Sequence, residues 1–301
     1  MARNSKTIKH SLSDRILLAV FYIIVGVFAV ACLYPLLLAI GTSFSDEASI
    51  TINGYNVIPK VFSLEAYKMI FGSLGKNMMN AYTVTICVTV VGTILSLIVS
   101  ASFAYVLTVR EFKPRTALNL FLYIPMIFSA GLLPWYIMCT KYYKLTDSFL
   151  ALILPCCINT FNVFLLRNFF KSIPEELAEA AKIDGASYFK IFRIIYFPLA
   201  KVGLVTVGMF YALSYWNDYY LALMFINKQQ LYPLQYYLYN MLSNVQFMAN
   251  QANASLGYNI NIPLETTKMA TICVTIGPII LLYPFAQKYI TKGVIVGAVK
   301  G

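Results

Sequence analysis

The sequence predicts an all-α membrane protein with six transmembrane helices and with both termini in the cytoplasm. Apolar residues make up 59% of the chain and charged residues only 12%, against about 25% charged residues in an ordinary soluble domain. The mean hydropathy is +0.70. A helix needs about 20 mostly apolar residues to cross a hydrocarbon core of about 30 Å. Six stretches reach this length, at residues 16–40, 81–109, 116–138, 149–166, 199–226 and 266–289.

The first stretch follows four basic residues, as the core of a secretory signal would. It is too long for a signal, whose apolar core has roughly 7 to 15 residues, and no small-residue cleavage site follows it. We therefore expect a retained membrane helix. The predicted organisation is a cytoplasmic tail at residues 1–15, one membrane domain at 16–290 and a second cytoplasmic tail at 291–301.

The net charge of +11 could indicate binding to nucleic acid. The position of the charges argues against it. With a cytoplasmic N-terminus, six spans place 16 of the 23 Lys and Arg residues on the inner side, as the positive-inside rule expects. The basic residues therefore indicate membrane orientation, and no nucleic-acid partner is predicted.

The six cysteines show no metal-ligand spacing. We expect them to be small buried residues. No metal site is predicted.

Two long segments between spans are predicted to be external, at residues 42–80 and 227–265. The second mixes tyrosines with amide side chains. It could contact a carbohydrate, dock a protein, or settle at the membrane interface, where aromatic residues are enriched. The loop at 110–115 is short and basic and contains Pro114, and an ordinary cytoplasmic turn is predicted there.

A charged, alanine-rich segment interrupts the apolar runs in the cytoplasmic loop at residues 167–198. Ser172 and Glu175 have the spacing of a capping box. Glu175, Glu176 and Glu179 suit the positive end of a helix dipole, and Gly185 suits the left-handed position after its last turn. The predicted helix, 175–184, is about 15 Å long, which is too short to cross a membrane.

The composition of this helix indicates a contact with another protein. Ala178, Ala180 and Ala181 would permit close approach, and Leu177 and Ile183 would supply apolar contact. A second short helix is predicted at 188–196, before Pro198 at the entry to the fifth span.

These residues carry a resemblance to a known family. Glu179-Ala180-Ala181, Gly185 and Ile195-Tyr196-Phe197-Pro198 resemble the signature of the membrane subunits of bacterial ATP-binding cassette (ABC) importers, with Phe197 where leucine is usual. The resemblance implies a type I ABC importer permease fold, in which this loop is a coupling helix that contacts the ATPase. The residues assigned to that contact are Glu179, Ala180, Ala181, Asp184, Gly185 and Pro198.

A second resemblance extends over nearly the full length. Trp216-Asn217-Asp218, Tyr232-Pro233-Leu234-Gln235 and the ending at Gly297–Gly301 are similar to carbohydrate-uptake permeases related to the smaller membrane subunit of the maltose importer. Within that group the chain looks most like permeases for complex oligosaccharides or polysaccharide fragments. The resemblance places Tyr232–Gln235 against an extracellular binding protein, and Lys300 and Gly301 against the ATPase.

The same resemblance implies the partners and the location. They are a second permease, which favours a heterodimer, two ATPase subunits that bind ATP and magnesium, an extracellular solute-binding protein and an oligosaccharide. The chain itself would hold no cofactor and no catalytic residue, and would lie in a bacterial cell membrane.

Asp218 is the only acidic residue inside a predicted span, and such groups are costly unless they face water or a partner. It would lie about 30 Å along a straight helix from Pro198. Trp216, Tyr219 and Tyr220 could stack on sugar rings, while Asn217 and Asp218 bind hydroxyls. The alternative is that these residues form an interfacial aromatic belt.

Two other functions were weighed. An ion-coupled secondary carrier of a small polar solute would need charged groups near the bilayer centre or matching Gly/Pro-interrupted spans, and neither was recognised. A membrane enzyme would need convergent catalytic groups. No G-x-x-x-x-G-K-[ST] phosphate loop occurs in the sequence, so ATP would be bound by a different polypeptide.

Overall fold

The computed structural model describes residues 12–72, 75–256, 265–278, 280 and 287. The predicted all-α class is confirmed, because these residues contain no strand and only one isolated bridge, between Ser45 and Phe62. The α-helices are α1 (Leu12–Ser43), α2 (Glu47–Asn53), α3 (Glu65–Phe71), α4 (Gly75–Val106), α5 (Arg115–Ile127), α6 (Leu132–Ile137), α7 (Thr160–Lys171), α8 (Glu175–Ile183), α9 (Tyr188–Ile191), α10 (Phe197–Leu199), α11 (Lys201–Asn217), α12 (Tyr220–Phe225), α13 (Leu234–Leu256) and α14 (residues 265–278). Short π-helical segments occur at Met138–Tyr142 and Phe192–Tyr196, and 3₁₀ turns at Phe149–Leu152, Leu154–Cys156 and Gln229–Leu231.

Two of the predicted spans are continuous helices. Within the described ranges, α1 and α4 are long and apolar enough to cross a membrane, and up to five spans result if each of three bent helix pairs counts as one. The predictions at 16–40 and 81–109 therefore match single helices. Part of the sixth predicted span lies outside the described residues.

The third predicted span, 116–138, is wrong as a continuous helix. It consists of α5 and α6, which meet at an angle of 117°. Pro125 lies in the last turn of α5, and Gly131 before α6 has φ +84°, a left-handed conformation that glycine adopts without steric cost. The cluster of Pro, Ser and Gly was the available sequence signal for this break.

The fourth and fifth predicted spans are also broken. The fourth consists of the 3₁₀ turns at 149–156 and α7, at 58°, and the Asn159 side chain accepts the N–H of Asn162 to begin α7. The fifth bends by 82° between Leu199 and Lys201 and is interrupted again at Asp218. The 30 Å assigned to Asp218 was counted from Pro198 through this bend, whereas the straight part of the path is α11, which has 17 residues and is about 25 Å long.

The chain packs as two compact units. One consists of residues up to Ile70 together with Met248–Val274, and the other of Phe71–Phe247 together with residues from Thr275 onward. The predicted external segment 42–80 contributes α2 and α3, so it is partly helical. In the first unit, the Glu47 carboxylate accepts the backbone N–H groups of Glu265 and Thr266, both at 2.9 Å, and thereby satisfies the first turn of α14.

The core of the second unit is the contact between α4 and α11. Small residues on α4 allow the helices to approach closely, as is common in membrane proteins. The hydroxyls of Ser96 and Tyr215 are 2.9 Å apart, and those of Ser100 and Tyr211 are 2.7 Å apart. Tyr215 also donates to the carbonyl of Ile153 at 3.1 Å. These buried pairs join α4 and α11 to the broken fourth span.

The predicted external loop at 227–265 is largely a helix, α13. Its first turns bury Leu234, Tyr236, Tyr237 and Leu238, and the N–H of Leu234 donates to Thr85 on α4 at 2.7 Å. The start of α13 therefore packs on α4.

Candidate coupling site and substrate pathway

The predicted cytoplasmic helix is present as α8, but it begins differently from the prediction. Pro174 precedes it, and no side-chain hydrogen bond caps it. Ser172 instead ends α7, where its hydroxyl donates to the carbonyl of Phe169 at 2.7 Å. The predicted capping box is therefore wrong. Glu175 instead forms an ion pair with Arg110. Pro174, and not a capping serine, marks the start of the helix.

The C-terminus of α8 is as predicted. Gly185 has φ +77°. Its N–H donates to the carbonyl of Lys182 at 3.0 Å, and the N–H of Ala186 donates to the carbonyl of Ala181 at 2.9 Å. This pair of bonds is a Schellman motif. It ends the helix and turns the chain towards α9, where Ser187 caps the N–H of Lys190 at 3.3 Å.

The loop after α4 supports the inner face of α8 with two ion pairs. Arg110 contacts Glu175 at 2.9 Å, and Lys182 contacts Glu111 at 2.5 Å. The sequence prediction of an ordinary turn missed this role. Both partners come from about 70 residues away, so no local signal could have indicated them. A cleft of about 90 Å³ lies between this loop and α8 and α9.

The Glu111–Lys182 pair shifts both groups towards their charged forms. The hydrogen bond from Lys182 lowers the pKa of Glu111, and the same bond raises the pKa of Lys182. Because the side chain of Glu111 is 58% exposed and that of Lys182 is 33% exposed, solvent screens the pair and its effect on folding stability is small. The main effect of the pair is to fix the position of α8 against the loop after α4.

Aromatic rings anchor the second half of the loop to the membrane helices. Tyr105, in the last turn of α4, lies 5.0 Å from the ring centres of Phe192 and Tyr196, and its hydroxyl donates to the carbonyl of Tyr188 at 3.1 Å. Phe170 of α7 packs edge-on against Phe192 and Tyr196. The predicted helix at 188–196 is thus a short α-helix followed by a π-helical turn, and Pro198 lies in α10 just beyond it.

The outer face of α8 is left uncovered. Ile183 is 87% exposed and Phe189 71% exposed. Glu179, Ala180 and Asp184 are exposed as well, while Ala181 is half-buried. An exposed apolar surface next to carboxylates on a cytoplasmic loop is typical of a protein contact. Of the residues assigned to ATPase contact, Ala180 and Asp184 are exposed, whereas Glu179 lines the cleft on the inner side of α8.

The structure does not bring all five predicted substrate residues to one cavity. Trp216 is buried, and its Nε1 donates to the carbonyl of Thr275 at 3.3 Å. Asn217 is exposed and donates to the carbonyl of Leu213. Asp218 interrupts the helix, and its carboxylate accepts the N–H of Leu221 at 3.2 Å. Tyr219 stacks near Tyr239 at 5.4 Å, on α13.

Asp218 and Tyr220 line a cavity of about 460 Å³. Its other side is the break between α5 and α6, including Ser129 and Gly131, together with Trp135. The Trp135 and Tyr220 rings lie nearly parallel, 6.5 Å apart. Trp135 was not predicted, because the break that positions it was not recognised.

The loop assigned to the binding protein is only partly exposed. Pro233 and Leu234 are buried, whereas Tyr232 and Gln235 are half-buried. The preceding residues are held by Asp147, whose carboxylate accepts the N–H groups of Asn227 at 2.6 Å and Lys228 at 3.1 Å. The hydrogen bond from Asn227 lowers the pKa of Asp147. The sequence analysis did not predict these hydrogen bonds of Asp147.

The remaining predicted features are placed as follows. Lys300 and Gly301 lie outside the described residues. Among the cysteines, Cys139 and Cys157 are buried and Cys273 half-buried, but Cys32, Cys87 and Cys156 are on the surface of the chain, so burial was wrongly predicted for these three. In the described ranges, no group of three or more His, Cys, Asp or Glu residues could hold a metal ion.

Residues 104–296 match the family model described as binding-protein-dependent transport system inner membrane component. The chain belongs to this family. The resemblance carried by Glu179–Pro198 to ABC importer permeases is therefore confirmed, as is the location in a membrane. The permease is 37% identical over 274 residues to the polygalacturonan/rhamnogalacturonan transport system permease protein YtcP of Bacillus subtilis (strain 168), covering 91% of this chain and 94% of that protein.

Two further similarities agree with this assignment. The permease is 38% identical to the protein LplC of Bacillus subtilis (strain 168), covering 92% of each chain. Among solved structures, it matches a bacterial ABC transporter involved in the import of the acidic polysaccharide alginate, with a TM-score of 0.80 and 32% identity, covering 94% of this chain and 99% of that chain. The permease therefore has the predicted type I fold.

Proposed function

We propose that this permease is the transmembrane subunit of an ATP-driven importer of oligosaccharides or polysaccharide fragments. The names of its relatives support the substrate class, since they include permeases for polygalacturonan and arabinooligosaccharides. The chain would form half of the translocation pathway, with six spans and both termini in the cytoplasm. The substrate residues would be those at the Asp218 cavity.

The observation that carries the proposal is the geometry of α8. Its outer face is exposed and apolar, its inner face is joined to the end of α4 by two ion pairs, and α4 packs along α11 through buried polar pairs. A displacement of α8 by a partner would therefore be transmitted to the two helices of the core. This is the arrangement that coupling to an ATPase requires.

The proposed partners follow from the family. An ATPase pair would bind ATP and magnesium and hydrolyse ATP, with Glu179, Ala180, Ala181, Asp184 and Gly185 at its surface and Lys300 and Gly301 as a further contact. A second permease would complete the pathway. An extracellular binding protein would deliver the sugar, with Tyr232 and Gln235 as the accessible residues of the assigned contact.

A secondary carrier is not favoured. The sequence shows no matching pair of Gly/Pro-interrupted spans, but three of the predicted spans are broken, and broken helices also occur in secondary transporters. The argument against a secondary carrier therefore rests on the membership of this chain in the transport family.

The direct test is to purify the tagged permease from its native host in mild detergent and identify the associated proteins by mass spectrometry. We expect an ATPase and a second permease in stoichiometric amounts, with ATP hydrolysis that increases when the binding protein is added. A stable preparation that contains no ATPase would contradict the proposal and reopen the carrier hypothesis.

The ion pair between Glu111 and Lys182 gives a second test. We expect Glu111→Lys or Lys182→Glu to reduce uptake several-fold, because each places like charges together, and the double reversal to restore uptake. Membrane levels should stay unchanged, since an exposed pair contributes at most about 1 kcal/mol. If the double variant is as impaired as the single variants, the pair does not transmit the coupling.

The same pair predicts a pH window. The contribution of Glu111, whose pKa is lowered in the folded chain, is present above the unfolded value of about 4.3 and is lost as the pH falls through the lower folded value. The contribution of Lys182, whose pKa is raised, is present below its unfolded value of about 10.4 and is lost as the pH rises through the folded value. Uptake by the charge variants is therefore best compared near pH 7.

A further inference from the structure

The cavity beside Asp218 is built by two interrupted helices. One wall is the break between α5 and α6, where Gly131 has φ +84°. The opposite wall is the break between α11 and α12, at Asp218. Its volume of about 460 Å³ is within the range of about 300–1,000 Å³ for small-molecule sites. Interrupted helices at membrane depth are tolerated where they are buried in protein or line a water-filled cavity.

The Asp218 carboxylate also requires water or a ligand. A charged group in a membrane segment is costly unless it faces one of these or a cation. The ion pairs found in the described part of the chain do not include Asp218. Its described partners are the backbone N–H groups of Leu221 and Tyr220, in the first turn of α12. A carboxylate with capacity to accept further hydrogen bonds is therefore directed towards the cavity.

An aromatic platform lies in the same cavity. The Trp135 ring is nearly parallel to Tyr220 at 6.5 Å and packs against the buried ring of Phe225 at 5.2 Å. These contacts hold Trp135 in place while leaving it partly accessible. Flat aromatic rings suit the apolar faces of sugar rings, and carboxylates suit their hydroxyls.

The charge of the cavity distinguishes between classes of sugar. In the part of the chain that the structure describes, the lining includes no lysine or arginine, and Asp218 is its acidic residue. A sugar that carries a carboxylate would be repelled by Asp218 and would meet no lysine or arginine among the described residues that line the cavity. The hydroxyls of a neutral sugar could donate hydrogen bonds to the Asp218 carboxylate.

We propose that this cavity is a subsite for a neutral, hydroxyl-bearing sugar residue, with Trp135 as the stacking platform and Asp218 as the hydroxyl acceptor. The inference rests on the proposed import function and sharpens it. The permease would thereby differ from importers of acidic polysaccharides such as the alginate transporter that it resembles in fold.

The test uses intrinsic fluorescence, because the chain has only two tryptophans, Trp135 and Trp216. The full-length Trp216→Phe variant in lipid nanodiscs leaves Trp135 as its single tryptophan. The probes are arabinotriose, which is neutral, and trigalacturonate, which is acidic. We expect arabinotriose to change Trp135 emission with an affinity at least about tenfold higher than that of trigalacturonate. The converse variant, Trp135→Phe with Trp216 retained, should not respond.

Asp218→Asn tests the charge in the same background. It should weaken arabinotriose binding, because the charged hydrogen-bond acceptor is lost. It should also reduce the difference in affinity between arabinotriose and trigalacturonate, because the repulsion between Asp218 and the acidic sugar is removed. Glu65→Gln, which removes an exposed carboxylate on α3, is the matched control and should change neither affinity. Size-exclusion profiles identify any variant that fails to fold.

The outcomes distinguish this inference from the function on which it rests. No emission change with arabinotriose, or equal affinities that Asp218→Asn leaves equal, would overturn the neutral-sugar subsite. The copurification experiment would still establish the importer in that case. Binding of arabinotriose without any associated ATPase would instead contradict the importer and retain the subsite.

Discussion

Replacing Gly185 with valine is expected to abolish ATP-driven uptake while the permease remains in the membrane. Gly185 has φ +77°, a conformation that costs an ordinary L-residue roughly 1–2 kcal/mol and is a steric outlier for a β-branched one. The substitution would disrupt the two hydrogen bonds that end α8, from Gly185 and Ala186. Asp184 and the exposed Ile183 would then no longer present a fixed surface to the ATPase.

The measurement is uptake in cells, with the permease level in membranes determined by immunoblot. Gly54→Val is the matched control, because Gly54 also follows a helix with φ +72° and has no atom within 4 Å of an added Cβ. With ψ −174°, Gly54 is in a region essentially restricted to glycine, so this variant imposes strong backbone strain away from α8. Glu179→Lys should impair uptake in the same way as Gly185→Val. Normal uptake by both α8 variants would remove the coupling role of this helix.

Replacing Gly92 with alanine is expected to destabilise the core of the second unit. An added Cβ would lie 2.8 Å from the ring of Tyr215. The ring cannot move aside easily, because its hydroxyl is bonded to both Ser96 and the carbonyl of Ile153. Overpacking of this kind costs typically about 1–3 kcal/mol.

The measurement for this variant is the thermal unfolding temperature of the purified permease in detergent. Gly208→Ala is the control, since its Cβ would meet the flexible end of Leu97 at 3.0 Å and the neighbour can shift. We expect the unfolding temperature to fall clearly further for Gly92→Ala than for Gly208→Ala. Equal unfolding temperatures for the two variants would show that the α4–α11 contact is looser than the structure indicates.

Much of α8 was predictable from sequence because its signals are local. Gly185 ends the helix, Pro198 lies beyond it, and the spacing of Glu179, Gly185 and Pro198 is read along the chain. The capping box at Ser172 was the exception. That residue satisfied the carbonyl of Phe169 in the preceding helix instead, and a spacing rule cannot decide between two nearby backbone partners.

The breaks in the membrane spans were less predictable. A hydropathy pattern measures how apolar a segment is, and a broken helix is as apolar as a straight one. Pro125, Gly131 and Asn159 were visible in the sequence, but such residues also occur inside continuous membrane helices. The bends of 117°, 58° and 82° depend on what packs beside each break.

The sequence by itself determined the membrane class, the family and the position of α8, because apolar length, charge placement and motif spacing are properties of the linear chain. Only the tertiary structure decided that Arg110 and Glu111 support α8 and that Trp135 meets Asp218 across one cavity. These residues are about 65 to 83 positions apart. Contacts over such separations are set by the packing of whole helices, and no local pattern encodes them.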